Sequence, residues 1–337
     1  MNKNILIIAT SRADKYLLSP LTDGLGKECG FIDLSSWEPY EIQKMIWQYD
    51  ILSEDDNWER IVLLGDRYET CLLAVHAVDT GKIIFHIHGG EITSGSKDEY
   101  FRHAITKLSK VHLTCHKNFA DRIIRMGEAP ENIFISGALG VWRAKRIKPE
   151  EKQSKTLTVI LHPNTIEPDK TESEITTLLN ALKSFSDNFR IKFYAPNHDS
   201  GRGIIERKIK AFIELFGGEY IEEEYGDDFL HSLKHSACII GNSSCGIIES
   251  PSLKTPTINI GSRQDGRPRA ASILQCDFNE KEIRLNIDAY LSLNWHGKDG
   301  IGYRFKNPYD NTEEDTVEMI CDIIKNHPVN FQKRFKD

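Results

Sequence analysis

The sequence predicts an α/β protein made of two doubly wound parallel-sheet domains with a ligand cleft between them. Three observations carry this. Apolar runs of strand length recur as continuous blocks rather than alternating ones, the pattern of strands covered on both faces. Each run is followed by a loop and a helix-like segment, the rhythm of a parallel sheet with crossover helices. The 337 residues suit two domains of about 150 each, and a polar, basic stretch at 143–155 (RAKRIKPEEKQSK) breaks the series in two.

The elements follow in order. Residues 4–10 (NILIIAT) read as the first strand, with a helix-like segment from Tyr16. After it, 31–34 and the helix-like 39–52 fill the space before the strand 61–65 (IVLLG) and the helix 69–78. Strand 82–87 (KIIFHI) leads to a Gly-Gly loop and helix 98–110, strand 111–115 to helix 119–126, and 133–136 closes the first half. The second half repeats the pattern: strand 157–161, helix 173–185, strand 191–195, helix 204–216, then strands 238–240 and 257–260. Ile205, Ile209, Phe212, Ile213 and Phe216 make the apolar stripe of the 204–216 helix. A last helix, 313–325, follows an Asn-Pro-Tyr turn. The expected division is therefore a Rossmann-like domain at 1–145, a linker at 146–156, a second Rossmann-like domain at 157–311, and a C-terminal helix and tail at 312–337 able to cross back to the first domain.

Composition excludes whole classes of function. There are 43 basic and 50 acidic residues, a net charge of −7, whereas binding a phosphate backbone or an anionic membrane needs a positive field. No nucleic-acid or membrane partner is expected. The longest apolar stretches, such as 71–78, fall far short of the roughly 20 residues that span a bilayer. The N-terminal apolar run is too short for a signal peptide. Seven scattered cysteines with no C-x-x-C fit a reducing cytoplasm better than a disulfide framework or structural zinc.

In open α/β sheets the functional residues lie just past the carboxyl ends of strands. Those positions hold Ser11, Arg12 and Asp14; Asp66 and Arg67; His88 and Glu91 around a Gly-Gly pair; His162; Asn197; and the run from Gly241 to Gly246 (GNSSCG). Together they read as an acid/base site that binds an anion. The run at 237–249 is the strongest local signal. A strand ends in Gly-Asn, Ser243 and Ser244 follow, and a helix opens near Gly246, so free backbone N–H groups and hydroxyls would meet a phosphate there. The same serines also read as plain helix caps, and Glu249, one turn on, as either a ribose acceptor or a favourable carboxylate near a helix N-terminus. Arg12 and Arg67 read as ligand-binding or as structural ion pairs. Asp66 could cap its helix, and Asp98 could simply pair with Arg102 at i,i+4. His86 and His88 alternate on one strand, but with no third Cys or His nearby in sequence no metal site is expected. G-x-G-x-x-G, Walker A and G-x-S-x-G motifs are absent, and so is any Asp-x-Asp pair, so a bound diphosphate would be neutralised by arginines and a helix N-terminus.

Seven motifs resemble the hydrolysing UDP-N-acetylglucosamine 2-epimerases of sialic-acid biosynthesis: SRAD (11–14), LGDRYE (64–69), HIHGGE (86–91), DEYFRHAITKLSK (98–110), ISGALG (135–140), GNSSCGIIE (241–249) and NIGSRQDGR (259–267). The resemblance implies a GT-B type of fold, the sugar on the side of the first domain and the nucleotide on that of the second. It implies no metal, no cofactor and a homodimer or homotetramer. Arg12, Arg67, Asn197, Ser243, Ser244, Glu249 and Arg263 match positions that contact the nucleotide diphosphate, and Asp66, Asp98 and His162 match catalytic ones. His88 matches a catalytic position that is Glu in some relatives and His in others, with Glu91 beside it. The implied reaction yields N-acetylmannosamine and UDP by elimination of UDP followed by hydration. A UDP- or GDP-linked diacetamido sugar of the legionaminic-acid route, a non-hydrolysing epimerase or glycosyltransferase, and a non-catalytic nucleotide-sugar binder are the alternatives. Relatives carry a few dozen more residues within the 27–60 region.

Overall fold

The computed structural model describes residues 4–49, 52, 57–148, 155–197, 199–222, 226–292, 305–310 and 314–334. Most of the expected 146–156 linker, residues 50–51 of the 39–52 segment and residue 313 lie outside these. The chain forms two units. The first comprises Met1–Glu91, Asp98–Trp142 and Tyr309–Asp337, and the second Ile92–Lys97 and Arg143–Pro308.

In the first unit the elements are β1 (Asn4–Ala9), α1 (Arg12–Leu25), β2 (Cys29–Asp33), α2 (Pro39–Tyr49), β3 (Trp58–Leu64), α3 (Tyr68–Asp79), β4 (Ile83–Ile87), α4 (Asp98–Leu108), β5 (Val111–Thr114), α5 (Lys117–Arg125), β6 (Ile133–Ile135) and α6 (Leu139–Ala144). Its six strands lie in the order β2-β1-β3-β4-β5-β6, every neighbouring pair parallel. The continuous apolar run of β1 has a direct cause. Ile5, Ile7 and Ala9 enter one core with Leu18, Leu21 and Leu25 of α1, while Leu6 and Ile8 enter the core on the other face with Leu73, Ala74 and Ala77 of α3. Each of these leucines and isoleucines, moved out of water, contributes about 1.5–3 kcal/mol, and each alanine less.

The second unit contains β7 (Thr156–Ile160), α7 (Thr171–Leu182), β8 (Arg190–Tyr194), α8 (Arg202–Phe216), β9 (Glu219–Ile221), α9 (Gly226–Lys234), β10 (Cys238–Gly241), α10 (Cys245–Ile248), α11 (Ser250–Leu253), β11 (Thr257–Ile260), β12 (Ile273–Cys276) and α12 (Glu280–Ser292). Its sheet runs β9-β8-β7-β10-β11-β12, again all parallel. The last helix, α13 (Thr316–Asn326), belongs to the first unit, where Val317, Ile320, Cys321 and Ile324 join the core beside α1.

Two expectations need correction. Helix α1 starts at Arg12, not near Tyr16, because Ser11 caps it: its Oγ accepts from the Asp14 N–H at 3.1 Å. The helix expected after Ser244 is two four-residue pieces, α10 and α11. Pro251 has no N–H to give to the preceding turn, so the ladder breaks there. No sustained macrodipole can therefore be credited to that N-terminus. The short strands β9 and β12 and the helices α9 and α12 were not anticipated. Three- and four-residue strands are too short to declare a period.

Candidate functional site

In each sheet the strand order reverses once: between β1 and β3 in the first unit, and between β7 and β10 in the second. Ligands of open α/β sheets bind beside such switch points, outside the carboxyl ends of the strands. In the first unit, Ser11 after β1 and Arg12 and Asp14 in the first turn of α1 stand at the switch point, and the loop after β3 brings Asp66 and Arg67 there.

Arg102 organises much of this region. It is 1 % exposed and binds Asp66, Glu99 and the backbone carbonyl of Glu91, the last at 3.0 Å. Burial disfavours its charge, but Asp66, Glu91 and Glu99 outweigh that and hold its pKa above the ordinary arginine value. Asp66 is thus an ion-pair partner of Arg102, and the residue at the N-cap of α3 is Arg67, without a side-chain cap. Arg67 pairs with Glu69 at 3.2 Å, and against the cost of burial the charges of Glu69, Asp14 and Asp98 also raise its pKa. Asp14 is buried and its pKa raised by that burial, although Thr10 donates to it at 2.9 Å. Arg12 is exposed in the first turn of α1, and Asp98 opens α4 half-buried.

After β4 the chain turns sharply. His88 has φ +67°, a left-handed conformation uncommon for a residue with a Cβ. Gly90 follows at φ +73°, where a Cβ would lie 2.5 Å from the Phe119 carbonyl oxygen, so only glycine fits. The turn is tied down by the His88 N–H on the Leu113 carbonyl at 3.0 Å and by Arg122 on the Gly90 carbonyl. In it, His88 Nδ1 lies 2.9 Å from Glu91 Oε1, and the Cys115 thiol donates to the same oxygen at 3.1 Å. This left-handed turn breaks the strand alternation that would put the rings of His86 and His88 on one face. His86 is instead fully buried on the Gly65 carbonyl at 2.7 Å, and burial pushes its pKa down to about 3. The third ligand-type group that the sequence did not place is Cys115: ligand atoms of His88, Glu91 and Cys115 lie within 4.8 Å of one another.

In the second unit, His162 follows β7 and Asn242 follows β10. The Asn242 side chain accepts from the His162 N–H at 2.7 Å and donates to the His162 carbonyl at 2.8 Å. Gln264 donates to the Asn242 carbonyl at 2.8 Å, and Arg267 holds Gln264 at 2.7 Å. His162 Nδ1 accepts from the Asn197 N–H at 3.1 Å, which assigns the proton of the neutral ring to Nε2. Burial, then the charge of Arg263, lower its pKa to about 3, so at neutral pH it is an uncharged donor. Asn197 binds Asp199 at 2.6 Å, and Arg263 lies 3.7 Å from the same carboxylate. The segment Ile92–Lys97 belongs to this unit, and a Cβ on Gly95 would sit 2.8 Å from the Arg263 Cα. Ser243 and Ser244 are half-buried ahead of α10, and Ser244, at its N-cap, makes no side-chain cap bond. Glu249 lies between α10 and α11 and, after burial, contributes to raising the Cys245 thiol to about 12.

The candidate residues thus fall into two groups. Arg12, Asp66, Arg67, His88, Glu91 and Asp98 stand at strand ends or a helix start of the first unit, and His162, Asn197, Ser243, Ser244, Glu249 and Arg263 lie in the second. Sequence reasoning missed Arg102 as an organiser, Asn242 as a clamp, and Cys115. Arg102 had a signal: it falls in the buried helical stripe with Ile105 and Thr106, where a cation must find carboxylates. Cys115 and Asn242 had none, because their partners are distant in sequence.

Two parallel six-stranded sheets flanked by helices, each with polar and titratable groups gathered at its switch point, define a two-domain α/β protein of the GT-B type. The sequence matches the UDP-N-acetylglucosamine 2-epimerase family over residues 40–325, and the chain belongs to that family. It is 35% identical over 295 residues to the polysialic acid biosynthesis protein P7 of Escherichia coli, covering 84% of this chain and 74% of that one. It is 31% identical over 321 residues to the hydrolysing UDP-N,N'-diacetylbacillosamine 2-epimerase of Legionella pneumophila, covering 90% and 82%. The fold is similar to that of the Neisseria meningitidis UDP-GlcNAc 2-epimerase solved with UDP-GlcNAc, with a TM-score of 0.78 at 14% identity over 96% of this chain and 100% of that one.

Proposed function

We propose that the protein is a hydrolysing 2-epimerase that converts UDP-N-acetylglucosamine into N-acetylmannosamine and UDP. The observation that carries this reading is the set of acid/base groups at the carboxyl ends of β3 and β4, Asp66, His88 and Glu91, with Asp98 at the start of α4. Moving a carbon-bound proton from one face of a sugar to the other calls for such a set.

The C2 proton of an amino sugar is barely acidic. Its removal becomes feasible when the C1–O bond breaks at the same time, so that the C2–H electron pair forms the C1=C2 bond and the diphosphate leaves with its own pair. Water then adds its hydroxyl to C1, and C2 is reprotonated on the opposite face. In this reading Asp66, His88, Glu91 and Asp98 serve the proton transfers. Arg12, Arg67, Asn197, Ser243, Ser244 and Arg263 hold the nucleotide diphosphate and Glu249 accepts from the ribose hydroxyls, the cationic and hydroxyl groups stabilising the departing charge as it develops. His162, neutral with its proton on Nε2, acts as a donor to the leaving group rather than as a base.

The Legionella relative, matched over 90% of this chain, supports a second substrate, UDP-linked N,N'-diacetylbacillosamine, and a Campylobacter jejuni relative supports its GDP-linked form as well. Either product would feed synthesis of a sialic-acid-type surface polysaccharide. No helix among the described residues is long and apolar enough to cross a membrane, and we place the protein in the cytoplasm as a homodimer or homotetramer. Incubating it with each nucleotide sugar and identifying the products by NMR tests the reading. Free 2-epimer plus UDP supports it; a retained nucleotide sugar, a glycoside or binding without turnover overturns it.

A further inference from the structure

The Glu91 carboxylate oxygen lies 2.9 Å from His88 Nδ1 and 3.1 Å from the Cys115 Sγ. An ionised carboxylate only accepts hydrogen bonds, so in the neutral imidazole the proton must sit on Nδ1 and the lone pair on Nε2. His88 Nε2 is buried and has no hydrogen-bond partner among the described residues. The backbone that carries the ring is held as well. His88 is held at φ +67°, one of two non-glycine residues with positive φ among those described, and the other, Lys254, merely ends α11. Strain of this kind persists where surrounding structure over-determines it. Here Arg102 holds the Glu91 carbonyl, Arg122 the Gly90 carbonyl, and the Leu113 carbonyl the His88 N–H.

We propose that Glu91 is a positioning residue which holds His88 in the Nδ1–H tautomer and thereby presents Nε2 as the proton acceptor, with the Cys115 thiol fixing the carboxylate from the next strand. The chemical consequence rests on the 2-epimerase reading; the tautomer does not. In that reaction Nε2 takes the C2 proton, and the imidazolium so formed is stabilised by the carboxylate already on Nδ1. The C2–H pair becomes the double bond, and the diphosphate leaves with the C1–O pair. An aspartate or glutamate in place of His88 would need no such partner, which gives this chain's Glu91 and Cys115 a purpose tied to its histidine.

The test uses the full chain labelled with 15N- and 13C-histidine, with His88→Gln to assign the His88 signals. The wild type is expected to show Nδ1 protonated and Nε2 bare. In Glu91→Ala and Glu91→Gln the proton should move toward Nε2, and kcat should fall about a hundredfold or more, the scale of a lost general base, with KM changed by less than about threefold. Cys115→Ala should keep the tautomer and lose less than about tenfold in kcat. A wild-type His88 protonated on Nε2, or an unchanged tautomer in both Glu91 variants, overturns the proposal. So does stoichiometric Zn²⁺ binding that perturbs His88 in the wild type but not in Cys115→Ala, which would make the cluster a metal site. If the Glu91 variants fail to fold, the wild-type tautomer alone decides. If no nucleotide sugar is turned over, the epimerase reading falls while the tautomer result stands separately.

Discussion

Asn242 grips His162 by its backbone: the amide oxygen takes the His162 N–H at 2.7 Å and the amide nitrogen gives to the His162 carbonyl at 2.8 Å. The bonds tie the ends of β7 and β10 together where the second sheet reverses its order. Asn242→Ala should therefore destabilise the protein by about 2 kcal/mol, two net hydrogen bonds, and weaken UDP binding through the displaced His162. Chemical denaturation and UDP titration check this; unchanged stability and affinity would show the clamp to be idle.

The diphosphate assignment predicts that Ser243→Ala and Arg263→Ala each weaken UDP about tenfold or more, since a hydrogen bond to a charged group is worth roughly 1.5–3 kcal/mol. UDP should raise the melting temperature far more than uridine does. Equal shifts with the two ligands, or an unaltered UDP affinity in Arg263→Ala, would remove the assignment.

His162→Ala and Asp98→Asn should abolish turnover while UDP affinity drops only modestly. Calorimetric binding and a product assay separate the two effects. Near-wild-type kcat in both variants would take these residues off the catalytic list.

Burial lowers the pKa of His86 and of His162 to about 3 from an ordinary value of 6.5. A depressed folded pKa means the unfolded chain binds the extra proton first. The stability these neutral rings permit is complete above pH 6.5 and is lost as pH falls from there toward 3, at up to about 1.4 kcal/mol per pH unit for each. Urea midpoints from pH 7 to pH 5 should fall accordingly, and His86→Gln should flatten the slope. Parallel profiles for wild type and variant would refute the assignment.

Lys333 of the C-terminal tail pairs with Glu128 at 2.7 Å and donates to the Lys107 carbonyl at 2.7 Å, and Glu128 also binds Lys107 and the buried His112. Burial opposes the Glu128 charge, but these partners hold its pKa down at about 2. The stability involved is present above the ordinary value near 4.5 and lost as pH falls toward 2. Glu128 is buried but Lys107 and Lys333 are part-exposed, so removing its charge forfeits charge-assisted hydrogen bonds, about 1.5–3 kcal/mol. Glu128→Gln, read by thermal and chemical melts, should show a loss of that order; a melt like the wild type's would show the network to be marginal.

Activity should survive exhaustive dialysis against EDTA. His88, Glu91 and Cys115 are the one candidate cluster among the described residues, and their close contacts are hydrogen bonds to a shared carboxylate oxygen. Loss of turnover restored by a divalent cation would reverse this reading.

The two parallel sheets, and the strand ends on which the candidate residues stand, are legible in the chain before it folds. The cause is burial: a strand covered on both faces needs apolar side chains at consecutive positions, as Ile5 to Ile8 supply to two opposite cores, and that is written directly in the chain. Where the signal depended on length it faded, so β9, β12 and the broken helix around Pro251 escaped notice. Which of those residues meet is set by folding. His162 and Asn242 are 80 positions apart, Asp66 and Arg102 are 36 apart, and Glu91 and Cys115 are 24 apart. The first and third pairs are joined because parallel strands set side by side bring their carboxyl ends together, and the second because α4 carries Arg102 to the end of β3; strand order is a property of the folded sheet, not of any local stretch of sequence.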